Sequence, residues 1–240
     1  MSAAHIYWLL QSARDVPGDD EWLSESELDR LQSLAFPKRR AEWRLGRWTA
    51  KRAVSAYLSS GGLSPGMPAL EIRAAADGAP EAYVEGEACP ISISISHSSG
   101  FAICAVAAGD LAIGCDLEAV ETRSGEFLAD YFTAEERKLL TRVAPADIPL
   151  FATVIWCAKE SALKVVRQGL RRDTRSMQVR LDPAISECGW KPLTIRCAES
   201  LIGYPGWWLP LGEFVLAVSA GAATAKPVAL QVSPPFAPLR

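Results

Sequence analysis

Isoleucine and serine alternate strictly over residues 91–96, and this repeat constrains the fold more than any other stretch of the chain. Residues two apart on a β-strand point to the same face, so the three isoleucines would line a core while the serines face away from it. The sequence at 98–100 predicts a turn after this strand, and apolar runs at 101–107 and 111–117 predict two more strands. Three strands this close together favour an antiparallel meander.

Helix signals flank these strands on both sides. The sequences at 24–27 and 133–136 each match a capping box, in which a hydroxyl and a glutamate begin a helix. Longer helices are predicted from Pro37 to about residue 58 and from about 149 to 167. Further strands are predicted at 70–74, 81–84, 177–181, 192–197 and 213–219.

Helices therefore precede strands twice along the chain, which predicts an α+β fold built from two similar halves. The first half would span residues 1–109 and the second 110–225. The proline-rich tail at 226–240 would be irregular.

Composition argues against several classes of function. The net charge of −3 gives no basic field for nucleic acid, and no apolar stretch approaches the roughly 20 residues of a membrane span. The N-terminus lacks a secretory signal and the six cysteines form no C-x-x-C pair, so free thiols in a reducing cytoplasm are expected. The two histidines are too few for a typical zinc hydrolase, and no G-x-S-x-G sequence supports a serine triad.

Asp116 and Glu118 stand two residues apart at the end of the third predicted strand, so their carboxylates would project side by side. Like charges held together repel, and a divalent cation would offset that repulsion. Oxygen ligands without a nearby histidine or cysteine pair favour Mg²⁺ over Zn²⁺. Two acids on a solvated strand end are the alternative, and spacing alone favours that alternative.

A second group of candidates lies on one face of the predicted helix at 149–167, where Trp156, Glu160 and Lys164 recur every four residues. An exposed ion pair between Glu160 and Lys164, worth about 0.3–0.5 kcal/mol, is the alternative to a functional pair. The aromatic residue favours a face that is at least partly covered by other parts of the protein.

Two further features suit an anion. His97 lies where the alternating strand meets the Ser/Gly turn, whose backbone N–H groups and hydroxyls, including that of Ser96, suit phosphate oxygens. Basic side chains also form a stripe on the helix that begins at Pro37. Its members are Arg40, Arg44, Arg47 and Lys51. For each of them alone a solvated helix face is the simpler interpretation, whereas the group favours an anion site.

Three segments, taken in order, resemble the 4′-phosphopantetheinyl transferases, in particular their long, Sfp-type branch. That family has the patterns N-I-S-H-S, G-I-D-[IL]-E and W-x-x-K-E-S-x-x-K. The corresponding segments here are Ser94-Ile-Ser-His-Ser98, Gly114-Cys-Asp-Leu-Glu118 and Trp156-Cys-Ala-Lys-Glu-Ser-Ala-Leu-Lys164. Their order and separation fit the family, and similar features extend from about residue 36 to 219.

The resemblance implies two α+β halves packed as a pseudo-dimer within one chain, with the active site at their junction. It implies a cytoplasmic, monomeric holo-[carrier protein] synthase. A serine of an apo acyl or peptidyl carrier protein would attack the β-phosphate of coenzyme A, receive the phosphopantetheine arm and release 3′,5′-ADP. Mg²⁺ would be required, with Mn²⁺ able to replace it, and the carriers would serve pathways such as secondary metabolite biosynthesis.

The resemblance also assigns roles by position. The metal ligands are matched by Asp116, Glu118 and Glu160. His97 matches the residue that holds the 3′-phosphate of coenzyme A, and Lys164 matches a lysine near the pyrophosphate. Gly78 and Pro80 match a G-K-P turn near the adenine. Further candidates for contacts with coenzyme A are Ser96, Arg47, Lys51 and Lys159. The first half would thus supply phosphate contacts and the second half metal ligands.

Three positions depart from the family, and one role stays open. Ala79 replaces the lysine of the G-K-P turn, Cys115 replaces an aliphatic residue, and Ser94 stands where asparagine is usual. Glu136 matches a glutamate considered for the catalytic base, yet a capping box alone would account for it, and Glu160 is the other candidate base. Carrier proteins are typically acidic, and the basic residues expected to face one are Arg171, Arg172 and Arg175.

Two other functions would use the same residues. A metal-dependent phosphoesterase would hydrolyse coenzyme A or a nucleotide without a carrier, and a non-catalytic relative would bind coenzyme A or a carrier protein without turnover. The sequence has no obvious second metal cluster, which argues against the phosphoesterase. All three carboxylates are present, which argues against a relative that has lost its activity.

Overall fold

A computed structural model describes residues 3–168, 171–181 and 189–232. The helices in this part are α1 Glu25–Gln32, α2 Pro37–Ser60, α3 Gly125–Tyr131, α4 Ala134–Leu140 and α5 Ile148–Val165. The strands are β1 Ile6–Ser12, β2 Leu70–Ala74, β3 Pro80–Val84, β4 Glu87–Ala88, β5 Ile91–Ser98, β6 Phe101–Ala108, β7 Ile113–Ala119, β8 Met177–Arg180, β9 Lys191–Cys197, β10 Gly203–Leu211, β11 Phe214–Ala220 and β12 Val228–Ala229.

Both predicted capping boxes are confirmed. The Ser24 hydroxyl accepts the backbone N–H of Glu27, whose carboxylate accepts the N–H of Ser24, and this exchange begins α1. Thr133 and Glu136 make the same exchange at the start of α4. The long helix α2 begins at Pro37, where a fixed φ and a missing N–H carry no cost.

The strands form three groups, with the orders β12-β1-β6-β5, β2-β3-β4 and β7-β11-β10-β9-β8. The first two predicted strands pair antiparallel as expected, with Ile91 opposite Ala108 and His97 opposite Ala102. The predicted meander is wrong at its third strand, because β7 pairs with β11 instead of β6. The reason is that β1 and β5 occupy the two edges of β6, which leaves no edge for β7.

The order of elements repeats in the two parts of the chain. Apart from β4 in the first part and α3 in the second, which have no counterpart, the first part runs β1, α1, α2, β2, β3, β5, β6, and the second runs β7, α4, α5, β8, β9, β10, β11. In both parts the first strand pairs with the last, and the last pairs with the one before it. The predicted doubling of an α+β unit is therefore present in the order of elements, and the mixed α+β class is confirmed.

The two parts share a core. Ile6, Ile103 and Ala105 from the first part pack in one buried cluster with Leu117 and Val218 from the second. β7 also lies directly on α5, because a Cβ added at Gly114 would come 1.9 Å from the carbonyl oxygen of Ser161. Only glycine permits that approach, which explains the glycine that precedes the two acids.

The tail prediction was partly wrong. Val228 and Ala229 form β12, which pairs parallel with Tyr7 and Trp8 of β1. Residues 233–240 lie outside the described part of the chain. Within the described residues, none of the helices combines the length and apolar character that crossing a membrane requires. The five cysteines in those residues are free.

Candidate active site

Asp116 is the centre of the site, and its two carboxylate oxygens have different surroundings. The residue lies in the middle of β7 and is 1% exposed, so the predicted position at a strand end is wrong. Its Oδ1 accepts the Ser96 hydroxyl at 2.6 Å and the Lys164 ammonium at 2.8 Å. Its Oδ2 is buried and has no hydrogen-bond partner within the described residues. A buried oxygen that carries negative charge and lacks a partner fits a cation.

Glu118 follows on the same face of β7 and is held from two sides. The indole N–H of Trp156 donates to its Oε1 at 3.1 Å, and Arg123 lies 3.5 Å from its Oε2. Burial, followed by the charge of Asp116, raises the pKa of the Glu118 carboxyl above its ordinary value.

Glu160 lies half-buried on α5, on the helix face that also carries Trp156 and Lys164. Burial raises the pKa of its carboxyl to about 7, and the charges of Asp116 and Glu118 act in the same direction. The charge of Lys164 opposes this shift in the Glu160 pKa. The three predicted metal ligands are therefore close enough to influence one another's protonation.

The three carboxylates do not form a closed set of ligands. No group of three His, Cys, Asp or Glu side chains between residues 3 and 232, leaving aside 169–170 and 182–188, is arranged to hold a metal ion. The chemistry of the donors nevertheless fits Mg²⁺, because all three offer carboxylate oxygens and Asp116 keeps an oxygen without a partner. The magnesium site stays a prediction.

Lys164 links this acidic group to a cavity. Its ammonium donates to the carbonyl of Cys115 at 2.9 Å as well as to Asp116. Burial disfavours the charged form of Lys164, but the charge of Asp116, the hydrogen bond to it and the charges of Cys115 and Glu160 together outweigh that effect, so the pKa of Lys164 is raised. Lys164 is thus a fixed cation on the cavity wall.

The cavity has a volume of about 770 Å³ and is lined by both halves of the fold. The first half contributes the turn at 77–81 and residues 91–95 of β5, and the second contributes residues 112–113 and the end of α5. The predicted residues Gly78 and Pro80 belong to the turn, where Gly78 has a φ of 91° that glycine adopts without strain. A site of this size between two halves suits a nucleotide-sized ligand.

Comparisons with known proteins bear on this site. Residues 112–197 match a family model, and this stretch contains all three carboxylates and Lys164. That model describes the 4′-phosphopantetheinyl transferase superfamily. The match supports the superfamily named from the three sequence segments.

Two relatives are holo-[acyl-carrier-protein] synthases. The one from Staphylococcus carnosus (strain TM300) is 29% identical over 97 residues, which is 40% of this chain and 80% of the relative. The one from Streptococcus suis (strain 05ZYH33) is 37% identical over 79 residues, which is 33% of this chain and 66% of the relative. The long, Sfp-type branch is not confirmed by these relatives and stays a prediction.

Two solved structures are similar as well. A holo-(acyl-carrier-protein) synthase from Bacillus anthracis str. Ames, in complex with CoA (3′,5′-ADP), is 22% identical with a TM-score of 0.36, over 45% of this chain and 97% of that one. The holo-[acyl-carrier-protein] synthase of Thermotoga maritima is 21% identical with a TM-score of 0.36, over 55% of this chain and 76% of that one.

The segment Ser94–Ser98, which resembles the family pattern and contains His97, forms the last five residues of β5. His97 is exposed, two residues beyond Ile95, which is the last residue of β5 on the cavity wall. Ser96 donates its hydroxyl to Asp116 and so holds that carboxylate in place, while its predicted role in phosphate binding stays a prediction. Ser94 likewise accepts the backbone N–H of Cys115 at 2.9 Å, which ties β5 to β7.

The predicted basic stripe on α2 is not an open anion site. Lys51 is fully buried and donates to Glu27 at 2.6 Å and to the carbonyl of Trp22 at 2.7 Å. The guanidinium of Arg47 is turned to the same Glu27, 3.7 Å away, and also donates to the carbonyl of Ile72. Lys51 and Arg47 are therefore largely committed within the first half, and their contact with coenzyme A stays a prediction.

Arg44 of the same stripe is also occupied, because it pairs with Asp20 at 2.9 Å. The acids that pair with Arg44, Arg47 and Lys51 are Asp20 and Glu27, which both precede α2 in the chain. The sequence prediction considered only the spacing of the basic residues and left these acids out.

Glu136 and Lys159 form the matching pair in the second half. Glu136 is 2% exposed and accepts the N–H of Thr133 at 2.7 Å, the N–H of Val179 at 2.8 Å and the ammonium of Lys159 at 2.9 Å. Lys159 is fully buried and also donates to the carbonyls of Thr174 and Met177. Both oxygens of Glu136 and the ammonium of Lys159 are thus occupied within the second half, and the predicted roles of Glu136 as catalytic base and of Lys159 in binding coenzyme A stay predictions.

Two contacts in the site were missed by the sequence predictions. In the sequence analysis, Trp156 served only as a sign that this helix face is partly covered, and Arg123 was not considered. Both hold Glu118, and Arg123 also lies 4.9 Å over the ring of Phe127. The spacing of Trp156 four residues before Glu160 was a signal for the first contact, whereas Arg123 follows a strand end and carries no periodic signal.

The three arginines predicted to face a carrier protein differ in their partners. Arg172 pairs with Glu199 at 2.6 Å, and Arg175 pairs with Asp173 at 3.0 Å. Arg171 lines the large cavity and also a smaller one of about 390 Å³ beside Trp156. Contact of these residues with a carrier stays a prediction.

Proposed function

We propose that this protein transfers the 4′-phosphopantetheine arm of coenzyme A to a serine of an apo acyl or peptidyl carrier protein and releases 3′,5′-ADP. The observation that carries the proposal is the group Asp116, Glu118 and Glu160, joined through Lys164 to a cavity of about 770 Å³. The names of the two relatives support the same reaction class.

Coenzyme A would place its nucleotide end in the cavity and its pyrophosphate near Lys164. Lys164 is suited to the pyrophosphate because Asp116 keeps it charged and fixes its position. The backbone of the turn at 77–81 would contact the adenine side, and this fits the presence of Ala79, which has no charge to contribute. His97 is proposed for the 3′-phosphate.

Asp116, Glu118 and Glu160 would hold Mg²⁺, or Mn²⁺ in its place. When bound, the ion supplies positive charge that neutralises the pyrophosphate during phosphoryl transfer. Ser96 and Lys164 hold Asp116 in place, and Trp156 and Arg123 hold Glu118.

The serine oxygen of the carrier forms a bond to the β-phosphorus, and the bond from that phosphorus to the bridging oxygen of 3′,5′-ADP breaks. The proton of the serine must be accepted by a nearby base. Glu160 is the better candidate, because it lies with Asp116 and Glu118 at the site, whereas both oxygens of Glu136 are occupied.

The two halves, residues 1–109 and 110–225, would form an intramolecular pseudo-dimer of the long branch, so that one chain is a complete enzyme. The repeated order of elements supports this proposal. Two buried ion pairs, Lys51–Glu27 and Lys159–Glu136, also support it. Their glutamates belong to the capping boxes of α1 and α4, which hold equivalent positions in the two halves. We expect a monomer located in the cytoplasm.

Release of 3′,5′-ADP, followed with and without an apo carrier protein, tests the proposal. The expected result is release that requires the carrier, coenzyme A and Mg²⁺ together. Release without any carrier would indicate a phosphoesterase instead. Binding of coenzyme A that is indifferent to Mg²⁺, with no release under any condition, would indicate a non-catalytic binding protein.

A further inference from the structure

Arg171 lies on the cavity wall without a carboxylate partner among the described residues. Its Nη2 donates to the carbonyl of Asp77 at 3.0 Å and to that of Arg167 at 3.4 Å, and its Nε donates to the carbonyl of Gln168 at 3.2 Å. Carbonyl oxygens accept hydrogen bonds but carry no net charge. The positive charge of Arg171 is therefore not neutralised by these contacts.

The nearest acids of the turn are already paired with another arginine. Arg167 lies 3.4 Å from Asp77 and 3.4 Å from Glu81. The remaining cation on the wall, Lys164, is committed to Asp116. Among the described cations of this wall, Arg171 is thus the one without a carboxylate partner, and its Nη1 makes no hydrogen bond to the described part of the chain.

The position of Arg171 also places it between the two halves of the fold. It belongs to the segment after α5, yet it contacts a residue 94 positions earlier in the turn that precedes β3. It lines both the large cavity and the smaller one beside Trp156. A phosphate in the large cavity would therefore lie within reach of a planar guanidinium, which binds phosphate oxygens through paired N–H groups.

We propose that Arg171 binds a phosphate group of the nucleotide part of coenzyme A and thereby sets the affinity of the cavity for 3′,5′-ADP. The proposal rests on the proposed function, because that function names the ligand. It differs from the sequence prediction, which assigned Arg171 to the carrier protein. The turn that Arg171 contacts carries Ala79, so the cation comes from the second half of the chain and not from the turn itself.

Titration calorimetry of the full chain with 3′,5′-ADP tests the proposal. Arg171→Met keeps an apolar stem and removes the charge, and it should weaken binding about 10- to 100-fold, which is the range for one charge-assisted contact. Arg171→Lys keeps the charge and should lose less affinity than Arg171→Met. Arg137→Ala, an exposed position on α4 away from both cavities, is the matched control and should bind like the wild type.

Affinity of Arg171→Met equal to that of the wild type would overturn the proposal, and so would equal losses in the Met and Lys variants. Titration of the wild type with coenzyme A distinguishes a failure of the proposed function from a failure of the role of Arg171. A wild type that binds neither coenzyme A nor 3′,5′-ADP would overturn the proposed function together with this inference. A wild type that binds both, with Arg171→Met unchanged, would overturn the role of Arg171 alone.

Discussion

Single side chains, and not whole elements, hold the carboxylates in place. Asp116 receives donors from both halves of the fold, since Ser96 comes from β5 and Lys164 from α5. Glu118 receives the indole N–H of Trp156, whose ring is packed edge-on by Phe127 and Tyr131 at 5.0 and 5.2 Å between centroids. A donor fixed by packing orients a metal ligand before the metal binds.

Trp156→Phe tests this orienting role, because it keeps a ring in the aromatic cluster and removes only the N–H donor. We expect the affinity for Mg²⁺ to fall about 10-fold, within the range for outer contacts of a metal site, while the fold is retained. Calorimetry with Mg²⁺ measures the affinity and circular dichroism the fold. Trp43→Phe on α2 is the control for loss of an indole elsewhere in the protein. Equal Mg²⁺ affinity in the wild type and Trp156→Phe would contradict the orienting role of Trp156.

The raised pKa of Glu160 predicts a pH dependence with a definite sign. Without metal, the folded protein holds the Glu160 proton up to about pH 7, whereas an unfolded chain releases it near 4.5. The contribution of Glu160 therefore makes the metal-free fold less stable as pH rises from about 4.5 to about 7, and this loss is complete above about pH 7. Metal binding needs the deprotonated carboxylate, so the stabilisation by Mg²⁺ should increase over the same interval.

Thermal unfolding with and without Mg²⁺, at about pH 5.5 and about pH 8, measures this effect. The rise in midpoint caused by Mg²⁺ should be larger at the higher pH, and Glu160→Gln should remove most of the difference. Equal shifts at the two pH values in the wild type would argue against Glu160 as a ligand.

The sequence predicted the acids, Lys164 and the glycine and proline of the turn at residue level, because each belongs to a short segment with fixed spacing. It did not predict that several cations are paired within the protein, for one physical reason. Whether a lysine is free depends on an acid that lies elsewhere in the chain. Lys51 and Lys159 are occupied by Glu27 and Glu136, which are 24 and 23 positions away.

Among the elements, the contact of β7 with α5 decides the geometry of the site, because these two carry all three carboxylates. Gly114→Ala would place a Cβ 1.9 Å from the carbonyl of Ser161 and force strand and helix apart. We expect a loss of about 1–3 kcal/mol or more in the free energy of unfolding, as for other overpacked cores, together with weaker Mg²⁺ binding.

Chemical denaturation measures the loss in Gly114→Ala. Gly221→Ala is the matched control, because the nearest atom to an added Cβ there is 3.6 Å away, and it should change stability little. A Gly114→Ala variant as stable as Gly221→Ala, with unchanged Mg²⁺ affinity, would show that the close approach is not required.

The capping-box glutamates allow a second test at this scale. Glu136→Gln keeps the size of the side chain and one acceptor oxygen but removes the second acceptor and the charge that balances buried Lys159, and Glu27→Gln does the same to Lys51. Breaking a buried pair from one side costs about 3–5 kcal/mol, so both variants should unfold more readily.

Glu136→Gln should nevertheless keep turnover within a few-fold under conditions where it stays folded, as Glu27→Gln should. The comparison of unfolding midpoints with rates of 3′,5′-ADP release measures both effects. Loss of turnover in Glu136→Gln alone, with a stability equal to that of the wild type, would restore this residue as a candidate base.

Most elements could be predicted from local patterns, since β2, β5, α1, α2 and α5 begin within a residue or two of the expected positions. β1, α3 and β10 were not predicted. β10 contains Pro205 and Pro210, which are uncommon inside strands, and it is recognised in the structure by its pairing with β9 and β11. Pairing of this kind is a property of the sheet and not of the strand alone.

For the molecule as a whole, the two halves repeat one arrangement and differ in what they contribute. Each half has a buried lysine and glutamate at an equivalent helix, and in each the other glutamate oxygen accepts a backbone N–H of the following strand, from Ile72 in β2 and from Val179 in β8. The three carboxylates of the site, Asp116, Glu118 and Glu160, all belong to the second half. The doubling could be predicted from the order of elements, whereas the shared core between the halves depends on contacts over more than a hundred residues.

The central claim is that these halves join to move a phosphopantetheine group from coenzyme A to a carrier protein. The mass of intact apo acyl and peptidyl carrier proteins, after incubation with this protein, coenzyme A and Mg²⁺, tests it most directly. The account predicts that at least one carrier gains the mass of a single phosphopantetheine, and that Asp116→Asn, which keeps the size of the side chain and removes its charge, produces no gain. A panel of carriers in which none gains mass, or an Asp116→Asn variant as active as the wild type, would contradict the account.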